Sequence, residues 1–100
     1  MKKLLFLAAA CLLGSSLYAA DGAAIYKKCA ACHGQKAEKK YANKVPPLVS
    51  VSKEDRLKAL EGYKAGSNNT YGMGGVMKSQ VMSLSADDLK AVNDFIETLK

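Results

Sequence analysis

The N-terminal leader limits most strictly what this chain can fold into, because it leaves little sequence behind it. Residues 1–20, MKKLLFLAAACLLGSSLYAA, join two lysines to an apolar run and a small-residue end, which is typical of a secretory signal peptide. The apolar run, at about eleven residues, is too short to span a bilayer. We expect cleavage after Ala19 or Ala20, which leaves a single domain of about 80 residues at 21–100.

Removal of the leader also fixes the charge and the cysteine content of the mature domain. Lys2 and Lys3 leave, so the formal charge falls from +6 to +4, and only Cys29 and Cys32 remain. A modest charge with scattered lysines does not favour nucleic acid as a partner, and two cysteines form at most one disulfide. A lipoprotein acylated at Cys11 is a less favoured alternative. Such a small domain, without tryptophan, needs another group to fill its core.

Helical periodicity with polar capping residues predicts an all-α fold. Three helices are predicted, at Asp21–Cys32, Lys53–Ala65 and Ala86–Leu99. Between them, residues 34–51 are rich in lysine and contain two prolines. Residues 66–75, GSNNTYGMGG, predict a long irregular segment. No strand is predicted, and we expect long loops that fold around a bound group.

Residues 29–33 carry the chemistry of the chain. Cys29-Ala30-Ala31-Cys32-His33 is the Cys-x-x-Cys-His pattern that attaches c-type haem. Two cysteines within one helical turn reach neighbouring vinyl groups of a porphyrin, and the histidine that follows is placed to bind the iron. A redox dithiol motif would follow a strand in a βαβ unit, and a zinc site would need two further ligands. A disulfide within a four-residue loop would be strained, so one covalent haem c is the favoured prediction.

The sixth position of the iron requires a second ligand or remains open. His33 is the only histidine, so the candidates in the mature chain are Met73, Met77 and Met82. Their spacing does not separate them. A methionine beside apolar residues is more often a core residue than a ligand, although a haem with a single histidine favours the ligand role.

The sequence resembles the class I c-type cytochromes, in particular the small single-haem bacterial cytochrome c-553 type. Residues 21–34, DGAAIYKKCAACHG, follow the opening helix and haem site of that family. Residues 76–89 resemble its methionine segment and the start of its last helix. The middle of the chain matches mainly at the turn 46–48 and at residues 62–66. The resemblance covers essentially the whole mature chain.

This resemblance implies a role for each residue that matches the family pattern. Cys29 and Cys32 would form the thioethers, His33 would be the proximal ligand, and Met77 the distal ligand. The carbonyl of Pro46, or of the proline beside it, would accept the histidine ring N–H and orient the imidazole.

The same resemblance implies where other residues lie. Met73 would lie near the haem edge and Met82 would be a packing residue. The first and last helices would cross closely at Gly22, with Tyr26 packed against Phe95 or Ile96.

These features predict a periplasmic one-electron carrier of a respiratory chain, not an enzyme, because two axial ligands leave no position for a substrate. The expected partners are redox proteins with acidic docking surfaces, since lysines flank the haem motif and the proposed distal ligand. The carrier is expected to be monomeric, without a transmembrane segment in the mature chain. The alternatives are a haem subunit of a larger complex, or an enzyme or gas sensor with a labile sixth site. The lysines that flank the haem motif and the proposed distal ligand are Lys27, Lys28, Lys36, Lys39, Lys40, Lys44 and Lys78.

Overall fold

The computed structural model describes residues 20–100. Within that range the chain forms five α-helices and one 3₁₀ turn, at Leu48–Ser50. Its only β feature is an isolated bridge between Tyr41 and Val45, so the all-α prediction is confirmed. The predicted signal peptide and its cleavage site involve residues outside the described range. The helices are α1 (Gly22–Tyr26), α2 (Ala30–His33), α3 (Lys53–Ala65), α4 (Gly74–Val81) and α5 (Ala86–Glu97).

Side-chain caps start three of these helices where the sequence places a polar residue. The Asp21 carboxylate accepts hydrogen bonds from the backbone of the first turn of α1. Ser52 accepts from the Asp55 N–H at the start of α3. Ser85 and Asp88 exchange reciprocal bonds at the start of α5, which is a complete capping box. The three predicted helix starts are therefore confirmed.

The first predicted helix is interrupted, which corrects the prediction of one helix over Asp21–Cys32. Lys27 N–H bonds the Ala24 carbonyl and Cys29 N–H bonds the Tyr26 carbonyl, both three residues back. These i→i−3 bonds tighten the chain between α1 and α2. The break follows Tyr26, which is buried and fixed by tertiary contacts that the helical spacing does not reveal.

The last helix ends at Glu97 rather than at the predicted Leu99. The Thr98 hydroxyl donates a 2.6 Å hydrogen bond to the Phe95 carbonyl, and the Thr98 N–H bonds the same oxygen. A threonine that bonds the preceding turn in this way competes with regular helical bonding. Leu99 still packs against the core, although it lies beyond the end of the helix.

Helix α4 is absent from the sequence prediction, which placed an irregular segment up to Gly75. Two glycines open this helix, and glycine has a low helix propensity. The residue before them, Met73, has no side chain that caps a helix. The start of the helix therefore carries no local signal, and a contact with another part of the chain caps it.

Helices α1 and α5 pack more extensively than any other pair of described elements. A Cβ atom at Gly22 would overlap the Ala91 carbonyl and lie 2.9 Å from the Phe95 Cβ. Glycine at position 22 therefore permits the close crossing. The rings of Tyr26 and Phe95 pack with centroids 5.6 Å apart. This crossing agrees with the expectation drawn from the resemblance.

Apart from Val45, the buried apolar residues form two clusters instead of one core. The first comprises Tyr26, Ala37, Val92 and Ile96. The second comprises Tyr63, Val81, Leu84 and Leu89. No helix within residues 20–100 is long and apolar enough to cross a membrane.

Candidate functional site

The Cys-x-x-Cys-His motif forms a single helical turn at the end of the first helical segment. Cys29 is the N-cap of α2, and its carbonyl accepts a 2.9 Å hydrogen bond from the His33 N–H. The two cysteines form no disulfide within residues 20–100, and Cys29 is half-buried whereas Cys32 is exposed. Burial raises the pKa of the Cys29 thiol. One turn of helix therefore presents two thiols and an imidazole together.

The His33 side chain is enclosed and only 5% exposed. Burial lowers the pKa of its imidazole, which favours the neutral form that binds metals. Its Nδ1 atom is buried and has no hydrogen-bond partner within residues 20–100. The Tyr41 ring lies beside it, with ring centroids 6.1 Å apart. A buried, neutral, unsatisfied imidazole has the properties of a ligand more than those of a packing residue.

Tyr26 fixes the motif to helix α1. Its phenol donates a 2.6 Å hydrogen bond to the carbonyl of Gly34, the residue after His33. Burial is the main cause that raises the pKa of Tyr26 to about 12, so the phenol remains a donor at neutral pH. The resemblance implied only a packing role for Tyr26, because nothing in a sequence indicates which carbonyl a phenol will reach.

The motif opens into a cavity of about 430 Å³. This volume falls within the range of about 300–1,000 Å³ that is typical of cofactor and small-molecule sites. Residues of both apolar clusters line it, including Ile96 from the first and Tyr63 from the second. The cavity thus lies between the clusters, where a chain of this size would otherwise have one core.

The five residues that the resemblance assigned to haem attachment, iron ligation or orientation of the histidine all lie on this cavity. The lining includes Cys29, Cys32, His33, Pro46 and Met77. The structure therefore brings together residues that are separated by up to 48 positions in the chain.

The three candidate methionines occupy different positions. Met73 and Met77 both line the cavity, one helical turn apart. Met82 is 61% exposed and is not among the lining residues. The packing role that the resemblance implied for Met82 is therefore wrong.

Arg56 was not predicted as a site residue from the sequence. It is a buried cation, only 3% exposed, in the wall of the cavity. Its Nε donates to Asn93 Oδ1 at 2.7 Å, and Nη1 donates to the carbonyls of Leu48 and Val51. Its Nη2 donates to the Asn93 carbonyl and to Glu97 Oε1. All five guanidinium N–H groups are thus used within the protein. The one sequence signal was that Arg56 is the only arginine in a lysine-rich chain.

The residues around the cavity fit a haem. Two thiols, a buried imidazole and a thioether converge on an apolar cavity inside a small helical domain. Apolar side chains dominate the lining, as a large flat macrocycle requires: Val45, Pro46, Leu48, Val51, Ala59, Leu60, Val76, Val81, Leu84, Val92 and Ile96. This fold and this site define a small class I c-type cytochrome.

Comparison with known proteins agrees with that class. The family model for cytochrome c matches residues 19–100. Cytochrome c-553 of Helicobacter pylori (strain ATCC 700392 / 26695) is 36% identical over 100 residues, which is 100% of both chains. Cytochrome c-553 of Nitratidesulfovibrio vulgaris (strain DSM 19637 / Miyazaki F) is 41% identical over 88 residues, which is 85% of this chain and 82% of the relative.

The chain belongs to the cytochrome c family. It is an electron carrier whose cofactor is covalently attached haem c, with Cys29 and Cys32 in the attachment motif. The predictions of the family and of the cofactor are confirmed.

Proposed function

We propose that this protein is a periplasmic one-electron carrier whose haem iron is held between His33 and Met77. The observation that supports this most directly is the shared cavity, which both cysteines, His33 and Met77 line. When bound there, haem iron supplies reversible exchange of one electron between the ferric and ferrous states. With His33 and Met77 as its two protein ligands, the iron would have no position left for a substrate, so the protein would carry electrons and not act as an enzyme.

His33 is the proposed proximal ligand. Its burial keeps the imidazole neutral, and the turn of α2 fixes it beside the two thiols. Pro46 is half-buried on the wall of the same cavity. We propose that its carbonyl accepts the Nδ1 proton, which would satisfy a buried atom that has no other partner within residues 20–100.

Met77 is the proposed distal ligand, in preference to Met73. Met77 lies within the regular part of α4 and packs against the second apolar cluster. Met73 lies at the N-cap of that helix, where the chain leaves the loop. A thioether held on a helix keeps its position when the iron changes charge, which suits rapid electron exchange.

The expected partners are redox proteins with acidic docking surfaces, and the carrier is expected to act as a monomer. Lys28 lines the cavity and is exposed, and the exposed Lys78 follows the proposed ligand on α4. Positive charge beside the haem edge steers acidic partners towards it.

We propose export to the periplasm on the basis of the N-terminal sequence. The periplasm is also the compartment in which haem c is attached.

The axial ligands are tested by optical spectroscopy of the wild-type holoprotein and of Met77→Ala, with Met73→Ala as the matched control. The wild type and Met73→Ala should both be low-spin in the ferric state and show the weak far-red methionine–iron band. Met77→Ala should lose that band, become high-spin and bind carbon monoxide once reduced. A wild type that binds carbon monoxide readily would indicate a labile sixth site. Loss of the band in Met73→Ala alone would assign the ligand to Met73.

The proposed docking role of the exposed lysines is tested by varying the ionic strength. Oxidation of the ferrous protein by a small anionic iron complex should slow as salt is added, because screening weakens the attraction. Lys28→Gln and Lys78→Gln should reduce that salt dependence, and Lys58→Gln, an exposed lysine of α3 that is not part of the cavity lining, should leave it unchanged. An equal effect of all three variants would argue against a localised positive rim.

A further inference from the structure

Helix α4, which carries Met77, begins without a cap of its own. Met73 occupies the N-cap position, and its side chain makes no capping hydrogen bond. The first N–H groups of a helix have no partner within the helix and need an acceptor from elsewhere. Asn69, five residues upstream of Gly74, supplies one, because its Oδ1 accepts a 2.8 Å hydrogen bond from the Gly74 N–H.

A turn in the preceding loop brings the Asn69 side chain to this helix end. The Gly72 N–H bonds the Asn69 carbonyl at 3.0 Å, which closes the turn. Gly72 has a φ of 75°, in the left-handed region where glycine is favoured. Asn69 therefore accepts at both its carbonyl and its side chain, and the two bonds fold residues 69–74 into one unit.

Asn68 attaches this unit to helix α3. Its backbone N–H bonds the Gly62 carbonyl at 3.2 Å, and its Nδ2 donates to the Ala59 carbonyl at 3.3 Å. Its Oδ1 accepts from the Thr70 N–H at 3.1 Å. Ala59 and Asn68 also line the cavity. The loop thus joins α3 to the first residue of α4 across the wall of the haem site.

The contact between the loop and α4 is close as well as hydrogen-bonded. Gly74 is buried, and a Cβ atom there would overlap the Asn68 carbonyl and lie 2.9 Å from Asn69 Oδ1. The glycine therefore allows the helix to begin directly against the two asparagines. Beyond the other end of α4, Lys64 Nζ donates to the Leu84 carbonyl. Hydrogen bonds to α3 therefore fix the chain both before and after α4.

We infer that Asn69 is a positioning residue for the sixth ligand, because its bond to the Gly74 N–H fixes the start of the helix that carries Met77. Met77 follows Gly74 by three residues, within the first turn of α4. Loss of the bond would let this turn move, and the iron–thioether bond would open more often. This inference depends on the proposed ligation by His33 and Met77.

The test is displacement of the sixth ligand by imidazole in the ferric holoprotein. Asn69→Ala should bind imidazole on the order of fivefold more tightly than the wild type, the factor that loss of one helix-capping bond implies. Asn69→Asp keeps an acceptor oxygen and should remain within about twofold of the wild type. Ser67→Ala is the control from the same loop, because the Ser67 hydroxyl contacts α3 and not α4. The haem content of all variants should be equal.

Hydrogen exchange of the Gly74 amide in the wild-type holoprotein provides a second measurement, which does not require a variant to fold. This amide should exchange slowly, whereas the Gly75 amide, for which no bond to the loop is found, should exchange faster. The role of Asn69 would be overturned by rapid exchange of the Gly74 amide. It would also be overturned if Asn69→Ala and the wild type bound imidazole equally tightly, or if Asn69→Asp bound imidazole as tightly as Asn69→Ala. A wild type without the far-red band would instead overturn the proposed ligation itself.

Discussion

The phenol of Tyr26 donates a 2.6 Å hydrogen bond to the carbonyl oxygen of Gly34, directly after the haem-binding histidine motif. The same ring packs against Phe95 of α5. One side chain therefore links the haem attachment turn, the first helix and the last helix. The site and the helix crossing are parts of a single packed unit, so changes at the crossing are expected to affect the site.

Replacement of Tyr26 by phenylalanine should remove this hydrogen bond and retain the ring packing. We expect a loss of about 1 kcal/mol in the free energy of unfolding, the usual net value of one such bond, with haem attachment unchanged. Denaturant unfolding of the holoprotein measures the change. Tyr71→Phe is the control, because Tyr71 is 38% exposed. Equal midpoints for the two variants would contradict the structural role of the bond.

Replacement of Gly22 by alanine should disturb the crossing of α1 and α5. The added methyl group would overlap the Ala91 carbonyl, so the helices must move apart, at a cost of about 2 kcal/mol or more. Gly75→Ala is a matched control within a helix, since a Cβ there would have no atom within 4 Å apart from its chain neighbours and the backbone of its own helix. That control should be neutral or slightly stabilising. Thermal unfolding of both variants compares them, and a stable Gly22→Ala protein would refute the close approach.

Replacement of Arg56 by alanine should destabilise the protein strongly. The side chain is buried, and its loss would leave the Asn93 side-chain oxygen and the Val51 carbonyl without this donor, whereas the Leu48 carbonyl keeps a bond from the Val51 N–H. We expect a loss of about 3 kcal/mol or more, because each buried acceptor left without a donor costs about 1–3 kcal/mol and the packing of the side chain is lost as well. Lys58→Ala, at an exposed position of α3, should change stability by less than about 0.5 kcal/mol. Comparable midpoints would show that the Arg56 network contributes little.

The stability of the fold should fall with acid through Glu97. The hydrogen bond from Arg56 is the main cause that lowers the pKa of this carboxyl in the folded protein. Its stabilising contribution is therefore complete above the ordinary carboxyl pKa of about 4.3 and is lost as the pH falls through the lowered value. Melting temperatures of the wild type and Glu97→Gln between pH 7 and pH 3 test this. The two curves should converge at low pH, and a constant separation would contradict the assignment.

Features that depend on neighbouring residues could be predicted from the sequence. The caps at Asp21, Ser52 and Ser85 predicted three helix starts, because the acceptor and the N–H groups lie within one turn of each other. The spacing of Cys29, Cys32 and His33 predicted the haem motif for the same reason. Helix α3 has the bounds that the sequence predicted, from its serine cap to the left-handed Gly66.

Features that depend on contacts between distant residues could not be predicted in this way. Helix α4 was missed because its first N–H group finds an acceptor at Asn69, outside the helix. The guanidinium of Arg56 reaches Asn93, 37 residues along the chain, and no local pattern reveals such a pairing. The cavity itself exists only once α2, α3, α4 and α5 have packed, because its lining comes from all of them. Local hydrogen bonds can be deduced from spacing, whereas long-range contacts depend on how the whole chain encloses its cofactor.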